Sequence, residues 1–127
     1  KWPLIQQTRT DNAKHFSDLF KDKPWCRIQQ TVGHSSWFTF GIVLDGVLKG
    51  RRAEVIKALD EVGIQNRPLA SRNFLKQPVM RDLDHVVSGD MSAADDIHDN
   101  GFFVGNGSKS IIEELDLLYN TIIKFIR

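Results

Sequence analysis

The chain has 127 residues, 41% of them hydrophobic, enough for one ordinary soluble domain that buries roughly two thirds of the surface its unfolded form exposes. Its 17 Lys+Arg against 16 Asp+Glu leave a formal charge of +1, which supplies no field to draw in nucleic acid or an anionic membrane. A lone cysteine, Cys26, excludes an internal disulfide, and with neither a cationic leader nor a long apolar run the expected home is a reducing cytoplasm.

The chain opens Lys1-Trp2-Pro3 without an initiator methionine, so a processed product or a piece of something longer is expected. Ala13, Phe16, Leu19 and Phe20 recur at helical spacing and predict a helix over 10–20, with Thr10 or Asp11 capping its first turn and Lys23-Pro24 closing it. Residues 37–44, aromatic and β-branched, read as a central strand ended by the turn Asp45-Gly46. A second helix over 51–62 places Val55, Ile56, Leu59 and Val62 on one face, and Gly63 followed by Ile64 fits a left-handed stop with its hydrophobic contact. Residues 65–70 contain Pro68, which has no N–H to give a ladder, and read as an edge strand.

A short helix over 92–98 stops at Asn100-Gly101, and 102–104 return as a strand. Ser110 and Glu113 have capping-box spacing and open a last helix over 110–126, striped by Ile111, Leu115, Leu118, Ile122 and Ile126. This order predicts an α+β fold in a single small domain, 1–127: a small, mainly antiparallel sheet with helices on one face. The other face is left for water, a ligand or another domain. Neighbours on a strand point to opposite faces, so Trp37 and Phe38, and Phe102 and Phe103, must divide between the two.

Several chemistries fail on spacing. His15, His34, His85 and His98 share no metal-ligand interval, and no metal site is expected. Cys26, between Trp25 and Arg27, reads as a small hydrophobe rather than a nucleophile beside His34. Asp95, Asp96, His98 and Asp99 suggest acid–base work but read as the solvated face of a short helix. The run from Gly101 to Gly107 lacks the spacing of a dinucleotide fingerprint. Its likeness to an RNA-stacking strand is superficial, because the residues after Gly107 read largely as helix and leave no room for a second aromatic strand.

Two segments carry the strongest functional composition: Arg67 to Pro78, and Asn100 to Asn106. Each ends an apolar stretch in glycine, asparagine or proline with polar side chains beside it, as strand tips do when they present groups to a ligand. Ser35-Ser36-Trp37-Phe38-Thr39-Phe40, Val62-Gly63-Ile64-Gln65-Asn66-Arg67-Pro68, Asn73-Phe74-Leu75-Lys76-Gln77-Pro78 and Asn100-Gly101-Phe102-Phe103-Val104-Gly105-Asn106 succeed one another at intervals that resemble a known family. It is the DegT/StrS family of fold-type I, pyridoxal-phosphate-dependent sugar aminotransferases and dehydratases, and the resemblance is to their C-terminal small domain. Arg9 to Phe16 is similar to the helix that leads out of the large domain. Within the family, the likeness runs most strongly to the dehydratase branch that makes 3-deoxysugars.

The resemblance implies a PLP- or PMP-dependent enzyme of deoxysugar and lipopolysaccharide biosynthesis. Its substrate would be a nucleotide-linked 4-keto-6-deoxyhexose, its amino donor one such as glutamate, and its full-length form a homodimer. A large domain upstream of Lys1 would hold the cofactor, so this chain is expected to carry no catalytic residue and to be inactive alone. Neither nucleic acid nor a membrane is an expected partner. By matching positions, Arg67, Asn73, Phe74, Asn100 and Asn106 are the expected contacts with nucleotide-sugar or amino-donor groups.

Arg67 offers a planar fork of donors for a carboxylate or phosphate, or else a surface ion pair. Asn73 and Asn106 match sugar hydroxyls or a keto oxygen, or else bond their own turns. Phe74 fits an apolar wall against a deoxy carbon, or a plug at a domain junction. Arg72 stands where the family usually has glycine before Asn-Phe, and Gly107 where a histidine commonly comes after Gly-Asn in the dehydratase branch. Dehydration and transamination both stay open, beside a stand-alone ligand- or protein-binding module and an RNA-binding sheet.

Overall fold

In a computed structural model that describes every residue except Ser71, the elements run α1 (Trp2–Phe20), β1 (Cys26–Ile28), β2 (Thr39–Leu44), α2 (Arg52–Glu61), β3 (Asn66–Pro68), α3 (Ser92–Asn100), β4 (Gly101–Gly105) and α4 (Ile112–Ile123). The strands form one antiparallel sheet in the order β1-β2-β4-β3. Phe40 lies opposite Val104 and Ile42 opposite Phe102, so these four side chains share a face with Leu44. That face is the core. Phe16 of α1 stacks on Phe40 with ring centroids 4.5 Å apart, and Val55 and Leu59 of α2 and Leu115, Leu118 and Ile122 of α4 complete the cluster. Burial of this apolar area is the main force holding the unit together.

The α+β architecture and the antiparallel sheet are as the sequence predicts, and α1, α2 and α4 cover one face of it. α3 departs from that plan. Its Asp96 reaches Arg27 on β1, whose register with Val43 and Gly101 sets it on the face opposite Phe40 and Ile42. Leu69 also crosses this second face. A Cβ on Gly101 would stand 2.6 Å from the Leu69 side chain and 2.5 Å from the Ile97 carbonyl, so only glycine admits the crossing.

α1 begins at Trp2, well before the stripe that predicts it, with Pro3 in the first turn where its missing N–H costs nothing. Thr10 and Asp11 therefore sit mid-helix rather than at a cap: the Thr10 hydroxyl donates to the Gln6 carbonyl and Asp11 accepts from the Gln7 amide. The Trp37–Leu44 run pairs only from Thr39, because Trp37 turns into the left-handed region at φ +47°. β1 has no counterpart in the sequence reading. At the end of α2, Gly63 takes φ +79°, its N–H donates to the Asp60 carbonyl and that of Ile64 to the Leu59 carbonyl, which is the expected left-handed stop. Ser110 does not cap α4. The Ile111 N–H there donates instead to the Asn12 side chain of α1, at 3.2 Å.

Candidate functional site

The chain leaves β3 at Pro68, opposite Phe102, and enters a loop anchored at both ends. The Arg72 N–H donates to the Leu69 carbonyl at 2.8 Å, and Ala70 and Arg72 both have positive φ. Asn73 then caps a short turn of helix over Phe74–Lys76, its Oδ1 accepting from the Leu75 N–H. Its Nδ2 donates to Asp95 of α3, and Lys76 pairs with the same carboxylate at 2.8 Å. These contacts fix the loop to α3 and leave Phe74 standing out, 51% exposed. Beside it lies a groove of about 390 Å³ lined by Pro68, Ala70, Arg72, Phe74, Gln77, Pro78 and Val79.

A larger cleft, about 670 Å³, opens where β4 runs past the end of β3. Phe38, Ile64, Phe103, Leu115 and Leu118 give it apolar walls, Gln65, Arg67 and Glu114 line it with exposed polar side chains, and Asn106 borders it with its amide turned into the fold. Phe38 is 77% exposed and carries the Arg9 guanidinium over its ring at 5.6 Å. Phe102, which an RNA-stacking sheet would present to a base, is instead buried in the core.

The five expected contact residues thus fall into two sets. Arg67 and Phe74 present their side chains outward, Arg67 to the large cleft and Phe74 to the small groove. Asn73, Asn100 and Asn106 are buried and their amides are engaged. Asn100 accepts from the Gly50 N–H at 2.7 Å and donates to Asp96. Asn106, 5% exposed, donates to the carbonyls of Arg9 and Trp37 and accepts from the Asn12 amide at 3.1 Å. No one cavity receives all five.

Asn12 is the residue that sequence reasoning passes over. Its signal is nonetheless present: Asn12, Phe16 and Phe20 recur every fourth position on one helical stripe, and a polar residue inside an apolar stripe must find partners. It finds them in Asn106, the Lys109 carbonyl and the Ile111 N–H, which ties α1 to the end of β4 and the start of α4.

On the acidic face of α3, Asp95 and Asp99 keep about half of their side-chain surface in solvent, as expected, while Asp96 is drawn into a brace. Burial pushes Asp96 up, but hydrogen bonds from Arg27, Lys49 and Asn100 outweigh it and hold the carboxyl below its ordinary range. Lys76 and then Asn73 do the same for Asp95. Cys26 is buried, and desolvation pushes its thiol up to about 12, which leaves it neutral and packed. Among the described residues no group of three His, Cys, Asp or Glu is placed to hold a metal ion, and no helix is long and apolar enough to cross a membrane.

The fold and its two loop tips define an α+β unit that lines clefts at the end and edge of its sheet. Residues 1–118 match the DegT/DnrJ/EryC1/StrS aminotransferase family, and the chain belongs to it. It is 38% identical over 125 residues to a GDP-4-keto-6-deoxy-D-mannose 3-dehydratase of Yersinia pseudotuberculosis, an alignment covering 98% of this chain and 32% of that protein. It superposes with a TM-score of 0.86 and 34% identity on the Escherichia coli enzyme of the same name, solved with bound hydrated PLP, over 94% of this chain and 31% of that one. PseC, the Helicobacter pylori aminotransferase of pseudoaminic acid biosynthesis, shares the fold alone, at a TM-score of 0.77 and 15% identity over 94% of this chain and 32% of PseC. The chain spans about a third of the length of the curated relatives it matches.

Proposed function

We propose that the full-length protein removes the C3 hydroxyl of a GDP-linked 4-keto-6-deoxyhexose, as a PLP- or PMP-dependent 3-dehydratase of deoxysugar and lipopolysaccharide biosynthesis, and that these residues form its small domain. The observation that carries this reading is the agreement in sequence along nearly the whole chain with a dehydratase of that name, 38% identical across 98% of these residues. An amino donor such as glutamate, a homodimer and a cytoplasmic setting belong to the same proposal.

Such a cofactor supplies an electron sink and an amino group. The residues of this chain do not by themselves build a site for it. None of its lysines is buried, and Lys14, Lys21, Lys49 and Lys76 lie in surface ion pairs. The buried asparagines are spent on backbone groups, on carboxylates and on one another. The cofactor is accordingly assigned to a large domain preceding these residues. This chain supplies a wall of the substrate cleft. In it, Arg67 offers its fork to an anionic group and Phe74 an apolar surface, while Asn73, Asn100 and Asn106 hold the tips in position.

The test is turnover by the full-length protein loaded with PLP and supplied with glutamate and GDP-4-keto-6-deoxymannose, followed by mass spectrometry. A product lacking the C3 oxygen is expected. A product carrying a new amino nitrogen at C4 assigns transamination instead, and absence of both overturns the assignment.

A further inference from the structure

α1 extends past the core it serves. Asn12, Phe16 and Phe20 face the core, and Arg9, Ile5 and Trp2 continue the same row, at steps of three and four, toward the start of the helix. Burial decays along that row. Asn12 is sealed by Asn106, the Lys109 carbonyl and the Ile111 N–H, Arg9 and Ile5 are half-buried, and Trp2 is 61% exposed. Phe38 meets the row at Arg9, whose guanidinium lies 5.6 Å from its ring centroid, yet the ring itself stays open to solvent. Phe38 also lines the large cleft, so the exposed aromatic surface of the row runs on into that cleft.

Exposed aromatic side chains grouped on one surface mark an interaction site. Arg9 adds a polar requirement, because its Nε is buried and has no hydrogen-bond partner among the described residues. Whatever covers this face must be apolar and must bring a carboxylate or carbonyl oxygen to Arg9. A small ligand fills a pocket rather than following about two turns of helix. A second copy laid symmetrically on the row would set arginine against a row that holds no acid. The remaining occupant is the rest of the protein itself, since this chain spans only about a third of the length of the curated relatives it matches.

We infer that the domain assigned the cofactor docks on the face made by Trp2, Ile5, Arg9 and Phe38, an inference that rests on the reading of these residues as the small domain of a longer enzyme. The large cleft is then a space between two domains, covered at its Phe38 rim. Asn106, which holds the Arg9 and Trp37 carbonyls, links the docking face to the tip of β4.

Cysteines placed in the full-length protein, Trp2→Cys and Phe38→Cys, test this by maleimide labelling read site by site by peptide mass spectrometry, native against urea-unfolded. Cys26, buried in the core, stays unlabelled in a folded variant and marks folding in the same digest. Native labelling at both sites is expected to be roughly tenfold or more slower than in urea, at every protein concentration. Labelling as fast as in urea, with Cys26 still protected, overturns the docking face. Shielding that is lost on dilution assigns the cover to a second copy and overturns it too. Hydrogen exchange of the unsubstituted full-length protein reads the same face without a mutation: amides before Arg9 protected as well as those around Phe16 support docking, and a fraying first half of α1 overturns it. A protein that shields both sites but leaves the C3 oxygen in place refutes the 3-dehydratase reading alone, whereas an active dehydratase with both sites open refutes the docking alone.

Discussion

Asn106 shows how much a single amide fixes. Its two N–H groups satisfy the carbonyls of Arg9 and Trp37, and its oxygen receives Asn12, so three separate segments converge on one buried side chain. Asn106→Ala would strand two buried carbonyls and one donor, at a cost of about 2–4 kcal/mol in urea unfolding of the chain. A midpoint shift worth less than about 1 kcal/mol would show that water replaces the amide. Asparagine at a turn is readable from the sequence as a residue that bonds locally. Its true partner lies 94 positions earlier, beyond any local pattern. Arg72 is half legible: it stands where the resemblance expects glycine, and its φ of +56° is the left-handed backbone that glycine enters freely.

Among the elements, legibility tracks length and periodicity. β2, α2 and α4 have apolar patterns long enough to declare their period, and their positions come from it. β1 is three residues, Cys26–Ile28, too short for alternation to register. The first half of α1 exposes Trp2 and Leu4 instead of burying a stripe, so its helical character has no amphipathic signature. α3 carries the clearest electrostatic prediction. Because Asp96 is held below its ordinary range, its contribution is present above an unfolded carboxyl value of about 4 and is lost as pH falls through the folded value. Asp96→Asn should therefore lower stability by a constant amount between about pH 5 and 8, with the gap to the parent closing below about pH 4. A gap that stays open in acid would assign the loss to packing rather than charge.

For the molecule as a whole, the family is legible because four motifs occur in order, and the match over residues 1–118 bears that out. The arrangement of the two tips is not, since it depends on how the strands are threaded. The order β1-β2-β4-β3 puts the last strand of the sequence at the centre of the sheet. During synthesis, then, β3 leaves the ribosome with no neighbour to pair with, and β2 waits with one edge bare until Gly101–Gly105 slides between them. A chain ended at Asn100 should show no cooperative unfolding transition, despite retaining three of its strands and three of its helices. A sharp transition in that truncation would mean that a stable nucleus forms earlier. Otherwise the nascent protein stays open at its middle until its final strand is made, and any holding factor that meets it must shield that gap for as long as translation takes to fill it.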